Sequence, residues 1–336
     1  MRAVVLVGGF GTRLRPLTLS TPKQMLQVGP ITMFERVIER LGRNGVTEAI
    51  VSLGFAPDRF TDAFPDGECA GVKLHYAIEP EPLDTGGAIR FAARHAGVDD
   101  TFLVVNGDVL TDLDYSWLVD QHRSFGGEAT LHLISVEDPS RFGVVDTAAD
   151  GKVRAFVEKP APGTEPCNLI NAGTYVMEPS VLDLIAADRK VSVERETFPA
   201  LVERGTLFAA ASDVYWIDAG TPAAFLQASL DLIDGTRSSE TAVQPSAKVA
   251  DDATIDHALV GTDSVVGAGA VIVDSIVMAG AQIGAGAEVR GSIIGCDAVV
   301  GAGASVIGGS VVGHGEHVDA GATVEATTVP DSSTWL

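Results

Sequence analysis

Residues 4–26 read VVLVGGFGTRLRPLTLSTPKQML. The apolar run Val4–Val7 is a buried strand by composition, and it stops at Gly8-Gly9-Phe10-Gly11. Arg13, Arg15 and Lys23 follow within the same stretch. Glycines without a Cβ let backbone N–H groups approach a ligand and point inward as an anion-binding nest. Cations beside such a nest suit a polyphosphate, so the segment reads as a triphosphate loop at the start of an α/β domain. A dinucleotide fingerprint needs a third glycine where Leu14 stands, and a P-loop needs Gly-Lys-Ser/Thr where the chain has Gly11-Thr12-Arg13. Both alternatives fail on those residues.

From this loop to about residue 235 the chain alternates strand and helix patterns. Phe34, Val37, Ile38 and Leu41 share a helical face that stops at Gly45, and Ala49–Leu53 follows as a strand. Phe102–Val105 is a buried strand ending in Asn106-Gly107-Asp108, Thr130–Val136 and Val153–Val157 read as further strands, and Ala223–Ile233 as a helix. Such alternation implies a mostly parallel sheet covered on both faces, with ligands beyond the carboxyl ends of its strands.

Residues 236–248 are polar and weakly patterned, a candidate linker. Beyond them Val266-Gly-Ala-Gly-Ala recurs at Ile283, at Val300 and, as Val-Asp-Ala-Gly-Ala, at Val318. Aliphatic residues return every six positions, with occasional five-residue steps, from Val249 to Val324. Three steps make a coil of 17 or 18 residues with aliphatics stacked inside and Gly or Ala at the corners. That is a hexapeptide β-helix over 249–330, of four to five coils.

The chain has 336 residues and a formal charge of −22, which excludes nucleic-acid polymers and anionic membranes as partners. A phosphate substrate must then be held by local cations. Twelve acidic residues against Lys248 and Arg290 from Glu240 onward read as solubility. No stretch has the length of a membrane span and no signal-peptide pattern opens the chain, so a cytoplasmic protein is expected. Cys69, Cys167 and Cys296 are odd in number and far apart, and suggest neither disulfides nor a metal cluster.

The opening string closely resembles the signature of the sugar-1-phosphate nucleotidyltransferases, Gly-Gly-x-Gly-Thr-Arg-Leu-x-Pro-Leu-Thr followed by Pro-Lys. The resemblance continues through Tyr215-Trp216-Ile217-Asp218-Ala219-Gly220-Thr221-Pro222 and into the repeat. It implies a Rossmann-like (GT-A-like) mixed sheet over 1–235, the 236–248 linker and a left-handed β-helix. It also implies attack of a sugar-1-phosphate oxygen on the α-phosphorus of a nucleoside triphosphate, with Mg²⁺ as cofactor. On the same ground Arg13 clamps the triphosphate, Lys23 bridges the phosphates, and Asp108 and Asp218 bind the metal. Leu6, Gly8, Gly9, Gly11, Thr12, Glu79, Pro82, Thr85 and Gly86 complete the nucleotide side. Gly107, Gly143, Glu158, Lys159, Asn171 and Gly173 hold the sugar phosphate, and Glu194 matches a sugar-side segment more loosely.

Asp112 and Asp114 match no family position and read as surface or capping residues. Glu79 stands where thymidylyl relatives have Gln; a carboxylate accepts the paired N1–H and N2 amine of guanine, which favours GTP. Asp84 departs from the Gly common in the family. The nearest branch of the family transfers guanylyl groups to mannose 1-phosphate. The alternatives are a uridylyl- or thymidylyltransferase for another sugar 1-phosphate (glucose, heptose or muramate type) and a non-catalytic regulatory subunit that binds a nucleotide sugar. Hexapeptide domains often carry acyltransfer, which wants a His base, and His257, His314 and His317 are available. A spacer or assembly role, with homo-oligomers formed through the β-helix, is the preferred reading of that half.

Overall fold

The computed structural model describes residues 1–187 and 189–335. The chain forms two compact units, one of Met1–Gly9 with Phe34–Trp216, the other of Phe10–Met33 with Ile217–Leu336. The division falls inside the glycine loop.

The first unit is built on one mixed sheet. The strand Arg2–Leu6 lies in its middle, parallel to Glu48–Leu53 on one side and to Phe102–Asn106 on the other. Val72–Ile78 extends the parallel half. Its inner residues, Val4, Ile50 and Val104 among them, are wholly buried in one core with Phe102, Tyr175 and Phe198. The helix Met33–Arg43 turns its expected face inward: Phe34, Val37, Ile38 and Leu41 are all buried, and Phe34 meets Phe60 edge-on at 5.3 Å. Gly45 takes φ +81 just past its end, a conformation that costs glycine least.

The other half of the sheet is mostly antiparallel, with Leu207–Ala211 alone parallel to Ala129–Ser135, which the strand–helix alternation does not reveal. Leu169–Met177 runs antiparallel to Phe102–Asn106, to Gly143–Thr147 and to Ala129–Ser135. Asn171-Ala172-Gly173, a sugar-contacting loop by the family resemblance, lies within this strand, where the pairing register with Ala129–Ser135 shifts between Asn171 and Tyr175. An irregularity of this kind re-aims side chains while the ladder continues on both sides.

His132 lies in Ala129–Ser135 with no exposed surface, its Nε2 2.8 Å from Ser212 Oγ. Burial alone pushes its pKa down to about 4 from 6.5, so the folded protein holds it neutral. Between those values the unfolded chain binds the extra proton. The contribution to stability is therefore complete above pH 6.5 and is lost as pH falls toward 4. The loss amounts to roughly 3 kcal/mol over that window. Chemical denaturation at pH 7 and pH 5 is expected to show this slope, and His132→Gln is expected to flatten it. An unchanged slope in the variant would assign the acid sensitivity elsewhere.

In the second unit the helix Pro222–Leu230 starts at Thr221, whose side chain accepts the Ala224 N–H, and has proline in its first turn. The stretch after it is tied down. Arg237 and Glu240 N–H groups donate to Asp231 and Leu232, and Gln244 and Ala242 bond Val260 of the first coil.

The repeat folds as three five-stranded parallel sheets, with partners 17 residues apart through Val249, Val266, Ile283 and Val300, and 18 at Val318. This is the left-handed β-helix expected. Its aliphatic column from Val260 to Val318 is buried, whereas Val249, Ile255 and Val324 at the ends are only partly covered. One corner carries serine rather than Gly or Ala. Ser275, Ser292 and Ser310 are fully buried, and Ser275 Oγ accepts the Ser292 N–H of the next coil while donating to Val273. Each hydroxyl thus satisfies backbone groups that the tight corner leaves open.

Among the described residues no helix is long and apolar enough to cross a membrane.

Candidate active site

Two neighbouring parallel strands of the first unit end together. Leu6 pairs with Asn106, and the Leu6 carbonyl accepts the Gly107 N–H at 2.9 Å. Gly8-Gly9 leaves one strand and Gly107-Asp108 the other, so the first half of the glycine loop and the first carboxylate share the carboxyl edge of the sheet. Gly9 has φ +91.

The sugar-side residues form a second group in the same unit. Gly143 pairs with Glu158, and a Cβ on Gly143 would stand 2.6 Å from the Phe156 ring and 3.0 Å from Glu158 Oε2. Only glycine leaves room there. Lys159 has φ +49, and its Nζ is 3.2 Å from Glu158 Oε1; the lysine is open to solvent while the glutamate is largely buried. Asn171 Nδ2 donates to Tyr175 Oη and its Oδ1 accepts the Gly173 N–H. Gly173, at φ +73, brings its backbone against Asn106, whose Nδ2 would be 2.5 Å from an added Cβ.

Burial raises the Tyr175 pKa, and the negative charges of Glu194 and Glu158 raise it further against the Asn171 bond, so both glutamates lie near its hydroxyl. Trp216 Nε1 donates to the Ala172 carbonyl, and its ring meets Phe142 edge-on at 5.7 Å. Asn106, Phe142, Tyr175 and Trp216 were not singled out from the sequence. The available signal was their place in the sequence: Asn106 precedes Gly107-Asp108, Phe142 precedes Gly143, Tyr175 follows Asn171-Ala172-Gly173 and Trp216 lies in the segment that holds Asp218.

Glu79 is held from both ends: Oε1 accepts from Ser52 Oγ at 2.9 Å and Oε2 from the Leu83 N–H at 3.0 Å. Each oxygen keeps a lone pair for a further donor. Pro82 is exposed beside it. Thr85 and Gly86 are engaged by the protein. Thr85 Oγ donates to Glu194 Oε2 and accepts the Val193 N–H, while Gly86 is buried and donates to Val191. Glu194 thus braces the start of the helix Asp84–His95.

In the second unit the loop closes on itself. Gly11, at φ +60, places its backbone where a Cβ would lie 3.1 Å from Thr18 and 3.3 Å from Lys23 Cβ. Its carbonyl accepts from Thr18 Oγ at 2.7 Å. Thr12–Leu14 is a single 3₁₀ turn that carries Arg13 outward. Arg13 Nη2 is 3.9 Å from Asp218 Oδ2, and Asp218 Oδ1 accepts the Gly220 N–H at 3.0 Å. Gly220 packs closely on the guanidinium: an added Cβ would stand 2.7 Å from Arg13 Nη2 and 2.8 Å from Asp218 Oδ1, the movable ends of those side chains.

Asp114 caps the helix Tyr115–Phe125 by accepting the Ser116 and Trp117 N–H groups, and the Asp112 carbonyl accepts from Arg40. Of the three β-helix histidines, His257 is pinned by Asp274 at 2.7 Å with Asp234 at 3.6 Å, which raises its pKa. His317 is exposed beside Asp319, and His314 bonds the Cys296 N–H. None forms the free, poised base that acyltransfer needs.

Among the described residues no cluster of three or more His, Cys, Asp or Glu could hold a metal unaided. Asp108 and Asp218 are hard carboxylate donors. Each, in its own unit, is the oxygen donor that an ion such as Mg²⁺ takes beside phosphate oxygens and water.

Comparison with known proteins identifies the family. The nucleotidyl transferase family matches residues 2–235, and the GMPPB C-terminal domain matches 238–334. A mannose-1-phosphate guanylyltransferase of Mycobacterium tuberculosis is 44% identical over 69% of this chain and 65% of its own length. A mannose-1-phosphate guanyltransferase of Debaryomyces hansenii is 38% identical over 68% of this chain and 64% of its own. The chain thus spans slightly less than two thirds of these curated relatives. HddC from Yersinia pseudotuberculosis superposes with a TM-score of 0.59 at 32% identity, over 68% of this chain and 97% of that one, and was also solved in complex with GMP-PN. With the family profile covering the whole strand–helix half, the chain belongs to the nucleotidyl transferase family.

Proposed function

We propose that this chain transfers a guanylyl group from GTP to mannose 1-phosphate, giving GDP-mannose and pyrophosphate. The observation that carries the reading is Arg13 in the loop turn, ion-paired to Asp218 and wrapped by Gly220. The names of the relatives support the substrates. A phosphate oxygen of the sugar phosphate attacks the α-phosphorus, and the bond to the α,β-bridging oxygen breaks as pyrophosphate leaves. Both reactants are anions, so the protein's task is to offset repulsion and hold them in line.

Arg13 and Lys23 hold the triphosphate beside the backbone of Gly8, Gly9, Gly11 and Thr12. Lys159 meets the sugar phosphate, and Glu158 and Asn171 accept from or donate to sugar hydroxyls, with Gly107, Gly143 and Gly173 permitting close approach. Glu79 receives the guanine N1–H and N2 amine through its remaining lone pairs, a reading supported by the anchoring of both its oxygens. Asp108 and Asp218 would hold Mg²⁺, which when bound neutralises phosphate charge and orients the triphosphate.

In this reading residues 1–235 are catalytic, 236–248 connect, and 249–330 support homo-oligomers through the open edges of the β-helix sheets, in a cytoplasmic protein. Retention of Arg13, Lys23, Asp108 and Asp218 together favours catalysis over silent nucleotide-sugar binding.

The test is a panel of GTP, ATP, UTP and dTTP against mannose, glucose and heptose 1-phosphates with Mg²⁺, read as pyrophosphate release. GTP with mannose 1-phosphate is expected to exceed every other pair by at least about tenfold in kcat/KM. Preference for UTP or dTTP overturns the base assignment, and no turnover with any pair overturns the reaction class.

A further inference from the structure

The turn that follows Glu79 is fixed by partners far along the chain. Leu83 donates its N–H to Glu79 Oε2 at 3.0 Å, and its carbonyl accepts the Val191 N–H at 3.0 Å. The Val191 carbonyl in return accepts the Gly86 N–H at 2.8 Å and the Gly87 N–H at 3.1 Å. Here one backbone lies directly on another. A Cβ on Gly86 would stand 3.0 Å from the Val191 oxygen and 3.1 Å from the Val193 nitrogen.

Thr85 adds a side-chain pin to this contact. Its hydroxyl oxygen accepts the Val193 N–H at 3.0 Å, and its proton goes to Glu194 Oε2 at 2.6 Å. Ser192 Oγ donates to the same carboxylate oxygen at 2.7 Å and so holds Glu194 in place to receive Thr85. The segment that supplies these partners is itself anchored. Val193–Thr197 is a π-helical turn that begins at Ser192, whose side chain accepts the Arg195 N–H. Phe198, next in the chain, has no exposed surface and meets the Tyr175 ring edge-on at 5.1 Å.

Between the pinned residues Leu83 and Thr85 stands Asp84 at φ +62. That left-handed conformation costs a non-glycine residue free energy, and it persists where the surroundings over-determine it. The bonds of Leu83 and Thr85 are those surroundings. Without the Thr85 bonds the turn is free to relax, and the Leu83 N–H moves with it. Glu79 has its other anchor on Ser52 of the strand Glu48–Leu53. The direction of its carboxylate is therefore set by the strand at one oxygen and by the turn at the other.

We infer that Thr85 is a positioning residue for base selection: its hydroxyl, held between the Val193 N–H and Glu194, fixes the strained turn whose Leu83 N–H aims the Glu79 carboxylate. The inference rests on the function proposed above. It gives Thr85 to the framework behind the base site instead of to the nucleotide.

Base discrimination is the readout, as the ratio of kcat/KM for GTP to that for UTP with mannose 1-phosphate and Mg²⁺. A ratio taken within one variant does not depend on the fraction folded, so a purely stabilising role would not move it. In the full-length protein Thr85→Val keeps the shape and loses both bonds, and is expected to lower the ratio about tenfold. Thr85→Ser keeps the hydroxyl and is expected to stay within about threefold of the parent. Ser192→Ala removes the other donor to Glu194 without touching the turn, and is likewise expected to stay within about threefold. Amide hydrogen exchange in residues 83–87 is expected to accelerate in Thr85→Val and not in Thr85→Ser. Thr85→Ala is expected to read as the valine variant does and replaces it should that variant not fold. An unchanged ratio in Thr85→Val, or an equal fall in Ser192→Ala, overturns the inference. Absence of turnover, or of a preference for GTP, in the unsubstituted protein overturns the proposed function instead, and exchange in residues 83–87 then decides whether Thr85 pins the turn.

Discussion

Asp218→Asn is expected to reduce kcat/KM for pyrophosphate release by about 10³-fold or more while leaving the fold intact. The substitution is nearly isosteric, and the Asn side-chain oxygen can still accept the Gly220 N–H that Asp218 Oδ1 accepts at 3.0 Å. The turn that wraps Arg13 therefore survives. What is lost is the negative charge, which serves twice: it pairs with the Arg13 guanidinium at 3.9 Å, and it is one of the two carboxylates proposed to hold Mg²⁺. Asp108→Asn removes the other and is expected to have an effect of the same order. Far-UV circular dichroism and Tm should match the parent protein in both variants, and chelation of divalent cations should silence the parent to the same degree. A kcat/KM within about tenfold of the parent for either variant would remove that aspartate from the metal site.

The largest expected effect on stability lies in the β-helix. A Cβ on Gly284 would stand 2.5 Å from the Ala302 nitrogen, 2.7 Å from the Gly301 carbonyl carbon and 2.8 Å from Ala302 Cα. All three atoms are backbone of the next coil, so no side-chain rotation relieves the clash. The coil cannot readily retreat, because the Gly284 N–H donates to Val300 at 2.7 Å and the same stack repeats above and below at Gly301 and Gly267. Gly284→Ala is expected to cost about 2–3 kcal/mol and to lower Tm by several degrees. The neighbouring exposed Ala285→Ser should stay within about 0.5 kcal/mol. Hydrogen exchange in residues 299–301 should rise in the glycine variant. Equal Tm values for the two variants would show that the coils are not in the close contact described.

The features legible in the sequence are those set by short-range periodicity or steric need. The 17-residue return of Val and Ile with Gly-Ala corners can be satisfied by a β-helix, and the three parallel sheets follow. Phe34, Val37, Ile38 and Leu41 define a helix face by spacing alone. Gly11 is readable as a ligand-loop glycine, and its φ of +60 against Thr18 and Lys23 gives the steric reason. Asn171-Ala172-Gly173 is the opposite case. The family resemblance implies a loop, but antiparallel pairing on either side holds the segment in a strand, with a register shift between Asn171 and Tyr175. Thr85 and Gly86 likewise look like ligand contacts by motif, whereas their bonds run to Val191, Val193 and Glu194, partners that no local pattern names.

By itself the sequence determined the kind of chemistry and the two architectures. Glycines, cations and carboxylates in fixed order define a phosphate loop, and a hexapeptide period defines a coil, because both depend on neighbours within a few residues. Only the tertiary structure decided that the signature loop is divided at Gly9, and that Phe10–Met33 groups with the C-terminal coils, with Pro16 against Gly313. Those contacts join opposite ends of the chain. They are chosen by which buried faces and orphan backbone groups can satisfy one another in three dimensions, and no spacing along the sequence encodes that choice.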